Sequence, residues 1–161
     1  MKLTCFTVLA AIGVASASAF AQGLPTQKIV TVDVAHTLVQ EAIAKCRADG
    51  YKVTATVVDS ANVVKALLRD DGARGATVEI GRMKANSVIA NGRASGPPPN
   101  LPPGAPVPPP LLPGTTNAIG GLPIMVGDQL VGAISVSGAP GGDKDASCAK
   151  AALNKVADKL K

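Results

Sequence analysis

At 161 residues and a formal charge of +5, the chain has material for one domain with a hydrophobic core and too little for two ordinary ones. Aromatics are 2% of it, with no Trp, one Tyr (Tyr51) and two Phe (Phe6 and Phe20). The core must therefore be aliphatic, and no platform for stacking nucleic-acid bases exists.

The first 21 residues read as a secretory signal: Lys2 as the basic region, an apolar run from Phe6 to Val14, and Ala19-Phe20-Ala21 as the cleavage site. A membrane anchor needs about 20 uninterrupted apolar residues, and this run is shorter and rich in Ser, Ala and Thr. Cleavage before Gln22 leaves one domain, 22–161, with 15 basic and 11 acidic side chains, a charge of +4. So mild an excess suits a small anionic ligand without demanding nucleic acid, and export argues further against nucleic acid. The expected location is periplasmic or extracellular, with no membrane contact after cleavage.

Thr31 to Asp49 carries Ala35, Leu38, Val39, Ala42 and Cys46 at three- and four-residue steps, with Asp49-Gly50 as the stop. This predicts a helix with Cys46 facing inward and His36 bordering the apolar stripe, about 80° from its middle. Tyr51 to Asp59 and Val63 to Arg69 form a hairpin joined by Ser60-Ala61-Asn62. Gly75 to Asn91 is helical again. Ala76, Ile80, Met83 and Ala90 mark one face and Val78, Ala85 and Ile89 nearly the opposite one. A helix apolar on two sides is covered twice, which points to a homo-oligomer.

Ten prolines fall between Pro97 and Pro113, removing the backbone donors that a helix or ladder needs. The segment is expected to be an extended loop that covers a pocket, binds a partner or spaces two elements, the spacer being the simplest role. After it, Leu122–Val126 and Gln129–Ser137 form a hairpin around Gly127-Asp128, a link suited to a II′ turn. Alternation puts Leu130, Gly132, Ile134 and Val136 on one face and Val131, Ala133, Ser135 and Ser137 on the other. Gly138-Ala139-Pro140-Gly141-Gly142 leads into a helix N-terminus that offers N–H groups to an anion, but it lacks the Lys and Ser/Thr of a phosphate loop and reads as a bend. The last helix runs from Asp143, its expected N-cap, to Leu160, with Ala146, Ala149, Leu153, Val156, Ala157 and Leu160 on one face. Four strands, with room for a fifth at Gln27–Val30, and three helices make an α+β domain.

The run Gly120-Gly121-x-Pro123-Ile124, the hairpin, and Val131-Gly132-Ala133-Ile134-x-Val136-Ser137-Gly138 follow Val57-Val58-Asp59, Leu68-Arg69-Asp70-Asp71-Gly72, Glu79-Ile80 and Lys84-Ala85. With Asp145, Cys148 and Ala149 beyond them, these motifs resemble the GlcG/HbpS family of haem-binding and haem-responsive extracytoplasmic proteins over most of the mature chain. The resemblance implies a profilin-like antiparallel sheet with helices packed on its faces. Two departures stand out. Family members usually carry a glycine-rich turn ending in His where this chain has Ser60-Ala61-Asn62, and the proline density of 97–113 is unusual for the connection it occupies.

Cys46 and Cys148 are an even pair in a compartment that permits disulfides. A bridge and two buried thiols both remain open: helices sharing a face would allow the bond, whereas opposite faces would hold the thiols beyond the roughly 7 Å limit between Cα atoms. The export signal tilts the balance towards a bridge.

For chemistry, His36 is the only imidazole, and no Gly-x-Ser-x-Gly elbow accompanies it. Asp59, Asp70, Asp71 and Glu79 sit where acids form turns and caps. Two distant cysteines and one His do not make a zinc site. Haem asks for an apolar slot, an axial ligand and cations for its propionates. Arg69, Arg74, Arg82, Lys84 and Arg93 surround the second helix, and His36 or Met83 would ligate iron, His36 being the metal ligand of choice. Each has a plainer role as well: a solvated basic face, an edge-of-core histidine, a core methionine. The expected function is an exported, non-enzymatic haem-binding or haem-responsive protein. The alternative is an accessory small-molecule-binding protein of a hydroxy-acid or alcohol oxidation pathway, the context of the glycolate-linked family name.

Overall fold

A computed structural model describes residues 26–161; the expected signal segment lies outside the described residues. Helix α1 spans Val32–Ala48, with the Thr31 side chain accepting the Val34 N–H at 3.3 Å and Asp49 closing the last turn. Strands β1 (Thr54–Asp59) and β2 (Val64–Arg69) follow. Their turn is held by the Asp59 carboxylate, which accepts the N–H groups of Ala61 and Val63 at 3.0 Å each, and Asn62 takes the left-handed conformation there, φ 65°. Helix α2 spans Ala76–Asn91 and ends at Gly92. Strands β3 (Gly121–Val126) and β4 (Gln129–Ser137) flank Gly127-Asp128, and Gly127 has the positive φ, 59°, that the expected turn needs. Helix α3 (Gly142–Lys155) and a 3₁₀ turn at Ala157–Lys159 complete the chain.

The four strands form one antiparallel sheet in the order β2-β1-β4-β3. Alternation gives the sheet two different faces. Ala55, Val57, Ile124, Ile134 and Val136 point to the face covered by α1 and α3, where Leu38, Val39, Cys46, Cys148 and Ala149 complete the main core. Thr54, Thr56 and Val58, paired with Ser137, Ser135 and Ala133, point the other way, towards α2. Because α1 and α3 share a face, Cys46 and Cys148 meet: they form a disulfide with Cα atoms 5.6 Å apart, as the export signal favoured.

The three-helix, four-strand α+β architecture is as expected, and several local expectations are corrected. No strand forms at 27–30; Val30 enters the core from an irregular segment. Val131 joins Ile134 and Val136 in the main core instead of facing α2 with Ala133, because the register shifts at Ile124/Met125 and alternation breaks there. Gly141 occupies the N-cap of α3 with no side-chain cap bond, so Asp143 does not cap it, and the helix stops at Lys155 rather than running to Leu160.

The largest difference lies in α2. Its buried residues are Thr77, Gly81, Lys84, Ala85, Asn86, Ser87 and Val88. The face laid on the sheet is therefore small and mostly polar: of the two expected apolar stripes, that of Val78, Ala85 and Ile89 is partly on it, Ala85 and Ile89 joining Val88 against Val58 and Ala133. Gly81 makes this approach: a Cβ there would stand 3.2 Å from Thr56 Oγ1, and Ser135 Oγ donates to the Gly81 carbonyl at 2.7 Å. The apolar stripe of Ala76 and Ile80 is turned outward, Ile80 being 40% exposed.

Candidate functional site

A cavity of about 710 Å³ opens at one end of the sheet. Three pieces of chain build it: Gly50, Tyr51 and Lys52 after α1, Arg74, Ala76, Thr77 and Ile80 at the start of α2, and the Ser137–Pro140 bend with Asp145. Local chemistry fixes each. Tyr51 follows the stop of α1, its N–H returning to the Cys46 carbonyl at 2.8 Å. The α2 end is held by a Thr54–Thr77 hydroxyl pair at 2.7 Å, with Thr77 Oγ1 also donating to the Arg74 carbonyl at 2.5 Å. Lys144 lies 5.5 Å from the Tyr51 ring centroid, a cation over the ring face.

Behind the cavity is a buried ion pair. Lys84 Nζ lies 2.7 Å from Asp145 Oδ2 and donates to the Val136 carbonyl at 2.9 Å, while Asp145 Oδ1 accepts the Ala139 N–H at 2.9 Å. One pair thus ties α2, the end of β4 and the start of α3 together. Burial pushes the Asp145 carboxyl above its ordinary value, and Lys84 opposes that shift. Gly120 passes beside the pair with φ 134°; a Cβ there would come within 2.7 Å of the Val136 carbonyl and 2.8 Å of Lys84 Nζ. That contact is the physical reason for the first glycine of the Gly120-Gly121 motif.

A second buried carboxylate stands on its own partner. Asp70 Oδ1 accepts Arg47 Nε at 2.9 Å and Nη2 at 2.6 Å, and this guanidinium holds the carboxyl below its ordinary value.

Of the residues singled out from sequence, only Arg74 lines the main cavity. Lys84 is not a free cation, being buried in its pair with Asp145. Arg82 pairs with Glu79 at 3.2 Å on the surface, and Arg69 donates to the Ala73 carbonyl at 2.6 Å. Met83 is half-buried on α2. His36 is exposed on α1, so the sheet stands between its helix and α2, and one chain does not bring His36 together with Met83 and the arginines. Tyr51, Lys52 and Asp145 were missed as site residues. The readable signal was the glycine-rich bend at 138–142, set aside as a mere connection, and the single Tyr beside a Lys just past a helix stop.

Fold and cleft together define the class: an α+β domain whose antiparallel sheet carries helices on both faces and ends in an open, cation-rimmed cavity. The chain belongs to the HbpS-like family, described as haem degrading protein HbpS-like, whose model matches residues 30–154. No curated protein sequence matches it. The crystal structure of HbpS aligns at 24% identity and a TM-score of 0.71, covering 84% of this chain and 97% of that one. Klebsiella pneumoniae protein ORFY aligns at 23% identity and a TM-score of 0.71, covering 83% and 96%. The PduOC:heme complex aligns at 20% identity and a TM-score of 0.66, covering 79% and 94%. At these identities the likeness is one of fold.

Proposed function

We propose that the protein is an exported haem-binding or haem-responsive protein that binds without turning its ligand over. The observation that carries this is the chemistry of the main cavity in a chain of the HbpS-like family. Its volume of about 710 Å³ falls within the range of roughly 300–1,000 Å³ usual for ligand and cofactor sites. Its donor set fits haem. Lys52 and Arg74 are two cations for two propionates, Ala76, Ile80, Ala139 and Pro140 are apolar surface for the macrocycle, and the Tyr51 phenol is an oxygen of the kind that ligates haem iron. Bound haem would supply a redox-active iron; the chain's own residues bind the propionates, offer the axial oxygen and exclude water from the apolar wall. One neighbour in fold is described as a heme complex.

Hemin titration of the mature protein should give a Soret shift that saturates at a fixed ratio to subunits. Tyr51→Phe should move the band position, and Lys52→Ala with Arg74→Ala should weaken binding, whereas His36→Ala should change neither. A shift lost in His36→Ala and kept in Tyr51→Phe would transfer the ligand to α1, and no shift in the parent would remove the proposal. A Soret band that decays with iron release when a reductant is added would make the protein an enzyme.

Export is supported by the Cys46–Cys148 bridge, which suits an oxidising compartment; N-terminal sequencing of secreted protein should begin at Gln22. Self-association is supported by the outward apolar stripe of α2 and by Val64 and Leu67 on the edge strand β2, all exposed. Light scattering should return more than the monomer mass.

A further inference from the structure

A second cavity, of about 400 Å³, lies between the C-terminal half of α2 and the proline-rich segment. The segment does more than span a gap. Its return arm is bonded to α2: Asn86 Nδ2 donates to the Gly114 carbonyl at 3.0 Å, and Ser87 Oγ both accepts the Thr116 N–H and reaches the Thr116 carbonyl, each at 2.8 Å. The two arms of the loop are also joined, Asn117 Nδ2 donating to the Pro108 carbonyl at 2.6 Å. Proline fixes φ, so walls built from Pro98 and Pro108–Pro110 hold their shape without a ligand. A preformed wall removes the ordering cost that a flexible loop would impose on binding.

The lining is apolar apart from hydroxyls, amides and one charge. That charge is Arg93; no acid lines the cavity. Among the described residues Arg93 donates a single hydrogen bond, to the Ala94 carbonyl at 3.1 Å, and forms no ion pair, so most of its guanidinium remains available. Charge and shape therefore match one chemical class. We propose that this cavity binds a small amphipathic monoanion, an apolar body carrying one carboxylate or comparable group, with Arg93 holding the head and the prolines and Leu112 enclosing the body. The proposal rests on no part of the haem reading, since the two cavities share no lining residue.

The test is a titration of the ¹⁵N-labelled mature protein with octanoate, and with octanol as the uncharged match. Octanoate should produce saturable shifts in the amide signals of Ser87, Arg93, Leu112 and Thr115–Asn117. It should bind roughly tenfold tighter than octanol, the low end for a hydrogen bond to a charged group. Arg93→Gln, at a partly exposed position that supports no core packing, should bring the ratio to about one. Asn117→Ala, which parts the two arms, should weaken both ligands alike. Saturable shifts confined to Tyr51, Lys52 and Gly138 would overturn the proposal, as would scattered shifts that never saturate, or a preference for octanoate that survives in Arg93→Gln.

Discussion

Removing the Cys46–Cys148 bond should cost this domain about as much as its most damaging single core substitution. The two cysteines are 102 residues apart, and the loop they close contains the whole sheet, α2 and the proline-rich segment. In the chain-entropy model a loop of about a hundred residues contributes roughly 4.7 kcal/mol, by limiting the unfolded chain rather than by adding a native contact. Domains of this size are stable by about 5–15 kcal/mol in total, so the bond decides whether the reduced protein is comfortably folded. Guanidinium unfolding should be compared for the oxidised protein, the same protein reduced, and Cys46→Ala/Cys148→Ala. Reduction deletes no atoms, so its effect isolates the cross-link; the alanine variant adds whatever is lost by shortening two fully buried side chains. The expected loss on reduction is about 3–5 kcal/mol, with a larger m-value because the released chain expands further. A loss under about 1 kcal/mol would refute the argument, and so would two free thiols in the denatured, unreduced protein.

Four further outcomes follow from the buried charges and from α2. Lys84→Met strands Asp145 without its partner and should destabilise by about 3–5 kcal/mol, while Lys84→Met/Asp145→Leu should recover most of that, as urea unfolding of the double-mutant cycle will show. Asp70 has a folded pKa below its ordinary value of 3.8, so its contribution is present above that pH and is lost as pH falls through the folded value; Asp70→Asn should flatten the acid limb of stability against pH below 3.8. Asp145, raised by burial, slopes the other way: its contribution is complete below 3.8 and fades as pH rises through the folded value, so Asp145→Asn should alter the limb above 3.8. Ile80→Glu should leave the monomer folded, because the side chain lies outside the core, and should shift light scattering towards the monomer mass.

Periodicity served where one apolar face meets one core. It placed α1 within a residue at each end, both hairpins, and the side of α1 that carries Cys46, because each depends only on local spacing and turn residues. It failed in part at α2, where Thr54, Thr56, Ser135 and Ser137 of the sheet face beneath select small and hydrogen-bonding residues, leaving only Val58 and Ala133 to meet the apolar Ala85 and Val88. An apolar template applied to such a helix finds the Ala85–Ile89 side and misses the polar half of the inner face. The same failure misplaced the site. Lys84 counted as a ligand cation because a buried lysine is legible only with its carboxylate, and Asp145 lies 61 residues away in sequence. Tyr51 carried only the faint signal of a lone Tyr beside a Lys past a helix stop; such an aromatic becomes a site residue only when the bend at 138–140 is folded against it.

The largely polar inner face of α2 connects these observations. Its inner face is fixed by hydrogen bonds: Thr77 to Thr54, Gly81 to Ser135, Lys84 to Val136 and Asp145, Ser87 to Thr116. Each neutral bond is worth only about 0.5–1.5 kcal/mol net, but an unmade one leaves a buried polar group exposed to no partner. Such a face sets position more sharply than it adds stability, since a slip of the helix would break several bonds at once. The two ends of the helix are where position matters. Arg74, Ala76, Thr77 and Ile80 open the main cavity at its start, and Ser87, Asn91 and Arg93 border the second at its end. With Thr77, Gly81, Lys84 and Ser87 committed inward beside Ala85 and Val88, the apolar Ala76 and Ile80 are left on the outside. One helix thereby registers both cavities against the sheet and presents an exposed apolar stripe whose first turn, Ala76 and Ile80, also lines the main cavity, so a substitution on its inner face should disturb the two cavities together and one on its outer face the main cavity at most.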